Sequence, residues 1–502
     1  MNDNLILLTD SYKITHWKQY PKGTTQVYSY LESRGGKFDN TVFYGLQYFL
    51  KRYLSGQVVT AKKIQNAKRI FTSHLGNSEI FNEAGWNHIL NKHNGYLPIK
   101  IKAIPEGEVI PVSNVLMTIE NTDPEVPWLT NYLETLLLNI WHPITVSTLS
   151  REIKKSLIKY LKKTTSYTKD EIKGIVSFML HDFGCRGVGN PEGAALGGSA
   201  HIVNFNGSDT VPALDFIQEY YNTDNILAFS IPASEHSTIT SWGEVNEVKA
   251  MENMLDSYPT GLVACVSDSF DIIRACEEYW GTQLKDKIMS RNGRLVIRPD
   301  SGDPVQTLKK VFNILWEKFP GTINDKGFKV LHPNVRVIQG DGVNYESIKD
   351  ILDMMVSEGF SVENIAFGMG GALLQKVDRD TQKFAFKCSH IVINGEDVDV
   401  RKNPVEIDEH GNRVASFKQS KAGRLKLMKR NLKDLPDRRL LRIGPTRSHQ
   451  EISEEQEKFF EYFTQQHSED EIGDELITVF ENGHLLKEWT FEEIRERAQV
   501  DF

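Results

Sequence analysis

Six clusters of charged residues and glycines punctuate the middle of this sequence, each closing a run of β-branched or apolar residues. They are His181-Asp182-Phe183-Gly184, Ser234-Glu235-His236-Ser237, Ser267-Asp268-Ser269, Arg298-Pro299-Asp300-Ser301-Gly302, Gly340-Asp341-Gly342 and Gly368-Met369-Gly370-Gly371. Any one of them alone is more often a structural turn; together they exceed what turn chemistry needs. Residues without Cβ let several backbone N–H groups approach an anion closely. The loops Gly340 to Gly342 and Gly368 to Ala372 therefore read as phosphate cradles, with a tight βα turn as the equal alternative, and neither matches a Walker or dinucleotide fingerprint. Both precede helical patterns, whose N-termini would add their dipoles. In the segment RPDSG, Arg298 can clasp phosphate in a fork, while Asp300 can hold ribose hydroxyls or a magnesium ion. A strand-end salt bridge is the plain alternative. His236 after Glu235 could be a base, a nucleophile or a phosphate acceptor, although a lone loop histidine is usually none of these.

The elements that must position these groups show in the alternation of short apolar runs with amphipathic stretches between about residues 174 and 375, the pattern of βα units. The candidate strands are Ile175 to Leu180, Leu227 to Ile231, Leu262 to Val266, Leu295 to Ile297, Val335 to Ile338 and Ile365 to Phe367, with helices expected over Val305 to Phe319 and Tyr345 to Val356. In an α/β barrel the loops after the strands share one face, so a parallel barrel fits better than an open sheet. The flanks differ: residues 24 to 55 and 97 to 120 show strand-like alternation, and Asn394-Gly395 and Asn482-Gly483 are hairpin turn signals. Thr490 with Glu493 forms a capping box for a last helix. The expected organisation is an irregular α/β barrel over 151–385, embraced by an α+β domain of antiparallel sheet built from 1–150 and 386–502.

Composition bounds the function. A chain of 502 residues with 40% apolar side chains can bury a large core. A net charge of -8 argues against a general nucleic-acid binder, so any phosphate must be held by a local cluster. The basic stretch Lys418 to Arg442 and the acidic stretch Glu451 to Glu475 read as solvated surfaces. Cys185, Cys265, Cys276 and Cys388 are too scattered for a zinc or redox motif and read as reduced, buried thiols. The start MNDNLILLTDSYK lacks the basic residues and the long apolar run of a signal peptide, and no apolar stretch is long enough to span a bilayer. The expectation is a soluble cytoplasmic protein.

The blocks TDSYKITHWKQYP, HDFGCRG, SIPASEHSTITSWG, VSDSFDI, IRPDSGDP, VIQGDGV and FGMGGALLQK, in this order, resemble the motifs of the nicotinamide phosphoribosyltransferase family over almost the whole chain. The resemblance implies a type II phosphoribosyltransferase barrel and a homodimer with active sites at the subunit interface. It implies that phosphoribosyl pyrophosphate (PRPP) and nicotinamide react there with Mg²⁺, and that ATP activates by phosphorylating His236. On matching positions, Phe183 and a neighbouring subunit's Tyr12 would sandwich the pyridine ring, with Arg186 at its polar edge and Asp209 accepting the amide N–H₂. An aspartate there suits an amide and repels a carboxylate. Asp271 would orient His236 or the ribose. Arg298, Asp300, Gly340, Asp341, Gly370 and Gly371 would hold ribose and phosphates, and Arg34, Arg379, Lys387 and Lys402 would add charge from the other subunit. Asp10, Ser230 and Ser267 fall within the same motifs and are expected to line the substrate site. Cys185 and Ala385 depart from animal members, which carry Tyr and a phosphate-contacting Ser there. The rival readings are a nicotinate or quinolinate phosphoribosyltransferase, against which Asp209 speaks, and a non-catalytic phosphosugar-binding barrel.

Overall fold

Residues on the central strands alternate between two apolar layers, and this alternation makes the barrel. In the computed structural model, which describes residues 4–407, 413–415, 419–428 and 474–500, the parallel strands run in the order Gly207–Ser208, Leu180–Asp182, Ile365–Met369, Val335–Gln339, Asn292–Arg298 and Thr260–Val266. Val263, Cys265, Leu295, Ile297, Val337 and Phe367 join the main core, whereas Ala264, Val296 and Ile338 form a separate cluster with Phe183, Ile231 and Ala366 against it. One set faces the surrounding helices and the other fills the interior, as the period of two requires in a curled sheet.

Two expected strands differ. The run Ile175 to Leu180 is the end of the helix Lys169–Val176 and a turn, with the strand starting only at Leu180. A Thr168–Glu171 capping box commits that segment to helix, and Ile172 and Val176 lie one turn apart on its buried face. The run Leu227 to Ile231 is not a ladder strand, because Pro232 offers no N–H to continue one. The run makes one parallel bridge, Phe229 to Gly207, and Ala233 just beyond it makes a second, to Ala264, so that the segment spans the gap between the two edge strands. The two-residue strand Gly207–Ser208 was too short to register as an apolar run.

The helices Pro304–Lys318 and Tyr345–Ser357 lie where the periodicity puts them, burying Leu308, Val311, Phe312 and Leu315, and Ile348, Ile351, Leu352 and Met355. The flanks interleave in one seven-stranded sheet, in which Thr24–Ser33 pairs with Phe384–Ile393 and Ile99–Ala103 with Ile477–Glu481. Both Asn-Gly turns have positive φ at each central residue (53° and 82°; 51° and 81°), the condition for a twist-matched hairpin turn. Residues 46–54 are helical rather than extended. The last helix, Phe491–Arg497, carries the Thr490–Glu493 capping box.

Cys265 and Cys276 are buried, but Cys185 and Cys388 are partly exposed, and all four are free thiols. Among the described residues no helix is long and apolar enough to cross a membrane. The basic and acidic stretches of 418–475 lie largely outside the described residues.

Candidate active site

Because the barrel strands are parallel, the loops after them share one face, and short contacts tie those loops together. Asp182 ends its strand fully buried; its Oδ1 accepts from Gly184 N at 2.7 Å and its carbonyl from Asp209 N at 2.9 Å. Burial pushes the Asp182 carboxyl up to about 6. Phe183 follows, its N–H bonded to Met369 O at 3.0 Å. Its ring packs closely on bare backbone: a Cβ on Gly368 would sit 2.0 Å from Phe183 Cε2, and one on Gly340 would sit 3.7 Å from the same atom. Gly187 packs against Gly371, where a Cβ on Gly187 would come within 3.1 Å of the Gly371 Cα. Arg186 is exposed on the single turn Cys185–Gly187.

Asp209, exposed at the next strand end, accepts from Ser230 Oγ through Oδ1 at 2.5 Å. Among the described residues no hydrogen bond reaches its Oδ2. Beside it His181 is held below the usual imidazole range by burial, with the Asp209 charge pulling the other way.

On the far side of the mouth, Asp268 organises the group. Its Oδ1 lies 3.1 Å from His236 Nε2, and its Oδ2 accepts from Asp300 N at 2.8 Å and from Ser301 Oγ at 2.6 Å. Asp300 Oδ2 sits 3.4 Å from an Arg298 guanidinium nitrogen and 4.0 Å from His236 Nδ1. Burial raises the Asp300 carboxyl, with Arg298 opposing. The Arg298 Nε is buried without a partner, a donor that an anion could satisfy. Asp341 is exposed beside Gly340.

Three features differ from the expected roles. The carboxylate that holds His236 is Asp268; Asp271 instead caps the turn Ile272–Arg274, accepting from Ile273 N and Arg274 N at 2.9 and 3.1 Å. Ser267 is fully buried, its hydroxyl committed between Cys265 O at 2.9 Å and Trp280 Nε1 at 3.0 Å, so it braces the strand end rather than facing the mouth. The helix dipoles contribute little. Gly371–Leu374 is one turn long, and the side chain of Asn344 already accepts the first N–H groups of Tyr345–Ser357. The role of Asp268 was within reach of the sequence, since it sits in one of the six polar clusters.

The remaining expected residues lie elsewhere: Lys387 on the strand Phe384–Ile393, Arg34 just after Thr24–Ser33, Tyr12 in the short helix Ser11–Lys18 that Asp10 precedes, and Arg379 and Lys402 in loops. Tyr12 is 58% exposed with its ring edge-on to His16, and Asp10 accepts from Thr135 Oγ1 at 2.7 Å. Arg34 Nε donates to buried Glu32 at 2.9 Å, and Lys421 bonds the same carboxylate. Burial lowers the Lys387 ammonium, with Arg34, Lys13 and Lys402 adding repulsion and Glu134 opposing. Arg379 and Lys402 are exposed. Among the described residues no hydrogen bond or ion pair joins this cationic group to the barrel mouth.

Residues 178–434 match the nicotinate phosphoribosyltransferase (NAPRTase) family and residues 4–101 the N-terminal domain of nicotinamide phosphoribosyltransferase. The chain is 48% identical over 500 residues, 99% of its own length and 98% of the relative's, to nicotinamide phosphoribosyltransferase of Xanthomonas campestris pv. campestris (strain 8004). This chain belongs to the nicotinamide phosphoribosyltransferase family. A second member, from Acinetobacter baylyi (strain ATCC 33305 / BD413 / ADP1), is 33% identical over 97% of this chain and 95% of its own. The fold is also that of nicotinate-nucleotide pyrophosphorylase from Pyrococcus furiosus, with a TM-score of 0.55 at 15% identity over 99% of this chain and 95% of that one. For a member of the nicotinamide phosphoribosyltransferase family, the barrel mouth is then the candidate active site.

Proposed function

We propose that this chain is a cytoplasmic pentosyltransferase of NAD salvage, joining nicotinamide to the phosphoribosyl group of PRPP and releasing pyrophosphate. The observation that carries the reading is the seat of Phe183: a flat aromatic face held on glycine backbone, with Asp209 on one side and the Arg298–Asp300 pair on the other. A pyridine ring stacked on Phe183 turns its amide toward Asp209 Oδ2 and its ring nitrogen toward the sugar. Stacking fixes a flat ring at little entropic cost. The ring nitrogen then displaces pyrophosphate at the anomeric carbon through an oxocarbenium-like state. In such a displacement the chain's work is alignment and neutralisation of the leaving group.

Arg298, with its unpartnered buried Nε, supplies a fixed positive charge for the phosphates. Asp300 and Asp341 fit Mg²⁺, which takes one or two carboxylates plus substrate phosphates, and the ion would neutralise the leaving pyrophosphate. His236, braced by Asp268, is the acceptor for the ATP-derived phosphoryl group. Tyr12, Arg34, Arg379, Lys387 and Lys402 serve the mouth of a second copy in a homodimer; in support, Arg34 and Lys402 stand close enough to Lys387 to repel its ammonium, and among the described residues no hydrogen bond or ion pair joins them to their own mouth.

Turnover of nicotinamide and of nicotinate with PRPP, with and without ATP, tests the reading. Nicotinamide should be the better substrate, and ATP should raise the rate. Asp209→Asn should narrow the preference by about tenfold or more, since one discriminating pairing is worth roughly 1.4 kcal/mol or above. Unchanged selectivity in that variant would remove Asp209 as the discriminating group.

A further inference from the structure

Away from both groups, two histidines converge on one carboxylate oxygen. His88 lies midway along the helix Glu83–Lys92, and His93 caps its end, its N–H bonded to Ile89 O at 3.1 Å. Their Nε2 atoms stand 2.9 and 2.5 Å from the same Asp123 Oδ2, and all three candidate ligand atoms lie within 4.8 Å of one another. Asp123 follows the strand Val115–Asn121 and is held from behind: its Oδ1 accepts from Glu125 N at 3.0 Å and its carbonyl from Asn121 Nδ2 at 2.8 Å. The carboxylate is buried, with a side chain 3% exposed, whereas the imidazoles are about a quarter exposed, which gives an ion a way in. Lys92 Nζ, also 3.0 Å from Oδ2, belongs to a half-exposed side chain that can swing into water.

We propose that His88, His93 and Asp123 form a binding site for a divalent transition ion of the zinc class. Two imidazoles and one carboxylate are a zinc-type ligand set and a poor one for Mg²⁺ or Ca²⁺, which prefer oxygen. With metal–ligand bonds of about 2.0–2.1 Å, a tetrahedral site needs ligand atoms about 3.3 Å apart. The observed Nε2 to Oδ2 separations reach that with movements under about 1 Å. His93 also lines, with Tyr96, Asn482 and His484, an adjoining cavity of about 380 Å³. The ion would clamp the end of the helix to the loop after the strand, replacing an arrangement in which imidazoles and an ammonium crowd one oxygen. The competing account is an aspartate stabilised by those cations alone, which requires no metal.

The test uses the full-length protein stripped with a chelator and titrated with Zn²⁺ against a chromogenic chelator, beside the variant His88→Gln/His93→Gln. Glutamines still donate to Asp123, so the variant keeps the hydrogen bonds and loses the ligands. Wild type should take up one Zn²⁺ that the variant does not hold, or holds more than about tenfold more weakly. Co²⁺ should give visible absorption bands in wild type only. Both proteins should retain phosphoribosyl transfer, and if the double variant fails to fold, His88→Gln alone carries the comparison. Equal zinc uptake by wild type and variant, or no tight uptake by wild type, would overturn the site.

Discussion

Phe183 is positioned by what its neighbours lack. Its ring occupies the space that a side chain at residue 368 would need, 2.0 Å from a Cβ there, so the glycine is a steric requirement of the stacking surface. From the sequence Gly368 read as part of a phosphate cradle, because glycine loops look alike whether they admit an anion or a ring. Gly368→Ala should therefore tilt Phe183 out of line. A displacement of about 1 Å can cost roughly a hundredfold, so kcat/KM for nicotinamide should fall by about that factor while the circular dichroism spectrum holds. Full activity in the alanine variant would show that Phe183 does not align the ring. Asp268 teaches the converse lesson, since a polar cluster names its members in sequence but not which carboxylate turns toward the histidine.

At the scale of elements, the strand end Leu180–Asp182 stores an electrostatic cost. The Asp182 carboxyl is buried with Oδ2 lacking a partner, and burial carries it from 3.8 up to about 6. A raised carboxyl means the folded state holds its proton more tightly than the unfolded chain. The stability this gives is present at low pH and is lost as pH rises from about 4 to about 6, an effect of order 3 kcal/mol at most. Asp182→Asn keeps the acceptor for Gly184 N–H and cannot ionise, so its melting temperature should gain on wild type as pH goes from 5 to 7. A difference that does not vary with pH would place the charged form at no disadvantage. Elements with strong local signals were legible: both Asn-Gly hairpins, the Thr490 cap and the helices after residues 303 and 344 form as read. What failed was decided non-locally. The run 227–231 looks like a strand but makes a single bridge, at Phe229, with Ala233 beyond it reaching the other edge, and Gly207–Ser208 is a strand only because its neighbours are.

For the whole molecule, the division of the expected site residues into two groups is the organising fact. The barrel mouth holds the Phe183 ring, the Asp209 carboxylate and the Arg186 and Arg298 side chains. Beside the antiparallel sheet, Lys13, Arg34 and Lys402 stand close enough to Lys387 to add to the lowering of its ammonium, a cost that a polyanion would reverse. On the proposed reading a PRPP molecule would need both groups, and a two-fold dimer would bring each mouth against the other copy's cationic group. Mixing experiments separate this from a site completed within one chain. Tyr12→Ala and Phe183→Ala homodimers should each be nearly inactive. Unfolded together and refolded as a mixture, they should recover about a quarter of wild-type activity, because half the dimers are then mixed and each mixed dimer has one intact site of two. Differently tagged subunits establish by co-purification that exchange took place. Exchange without recovered activity would mean that Tyr12 serves the mouth of its own chain, and the two groups would then have to meet by a movement within one subunit.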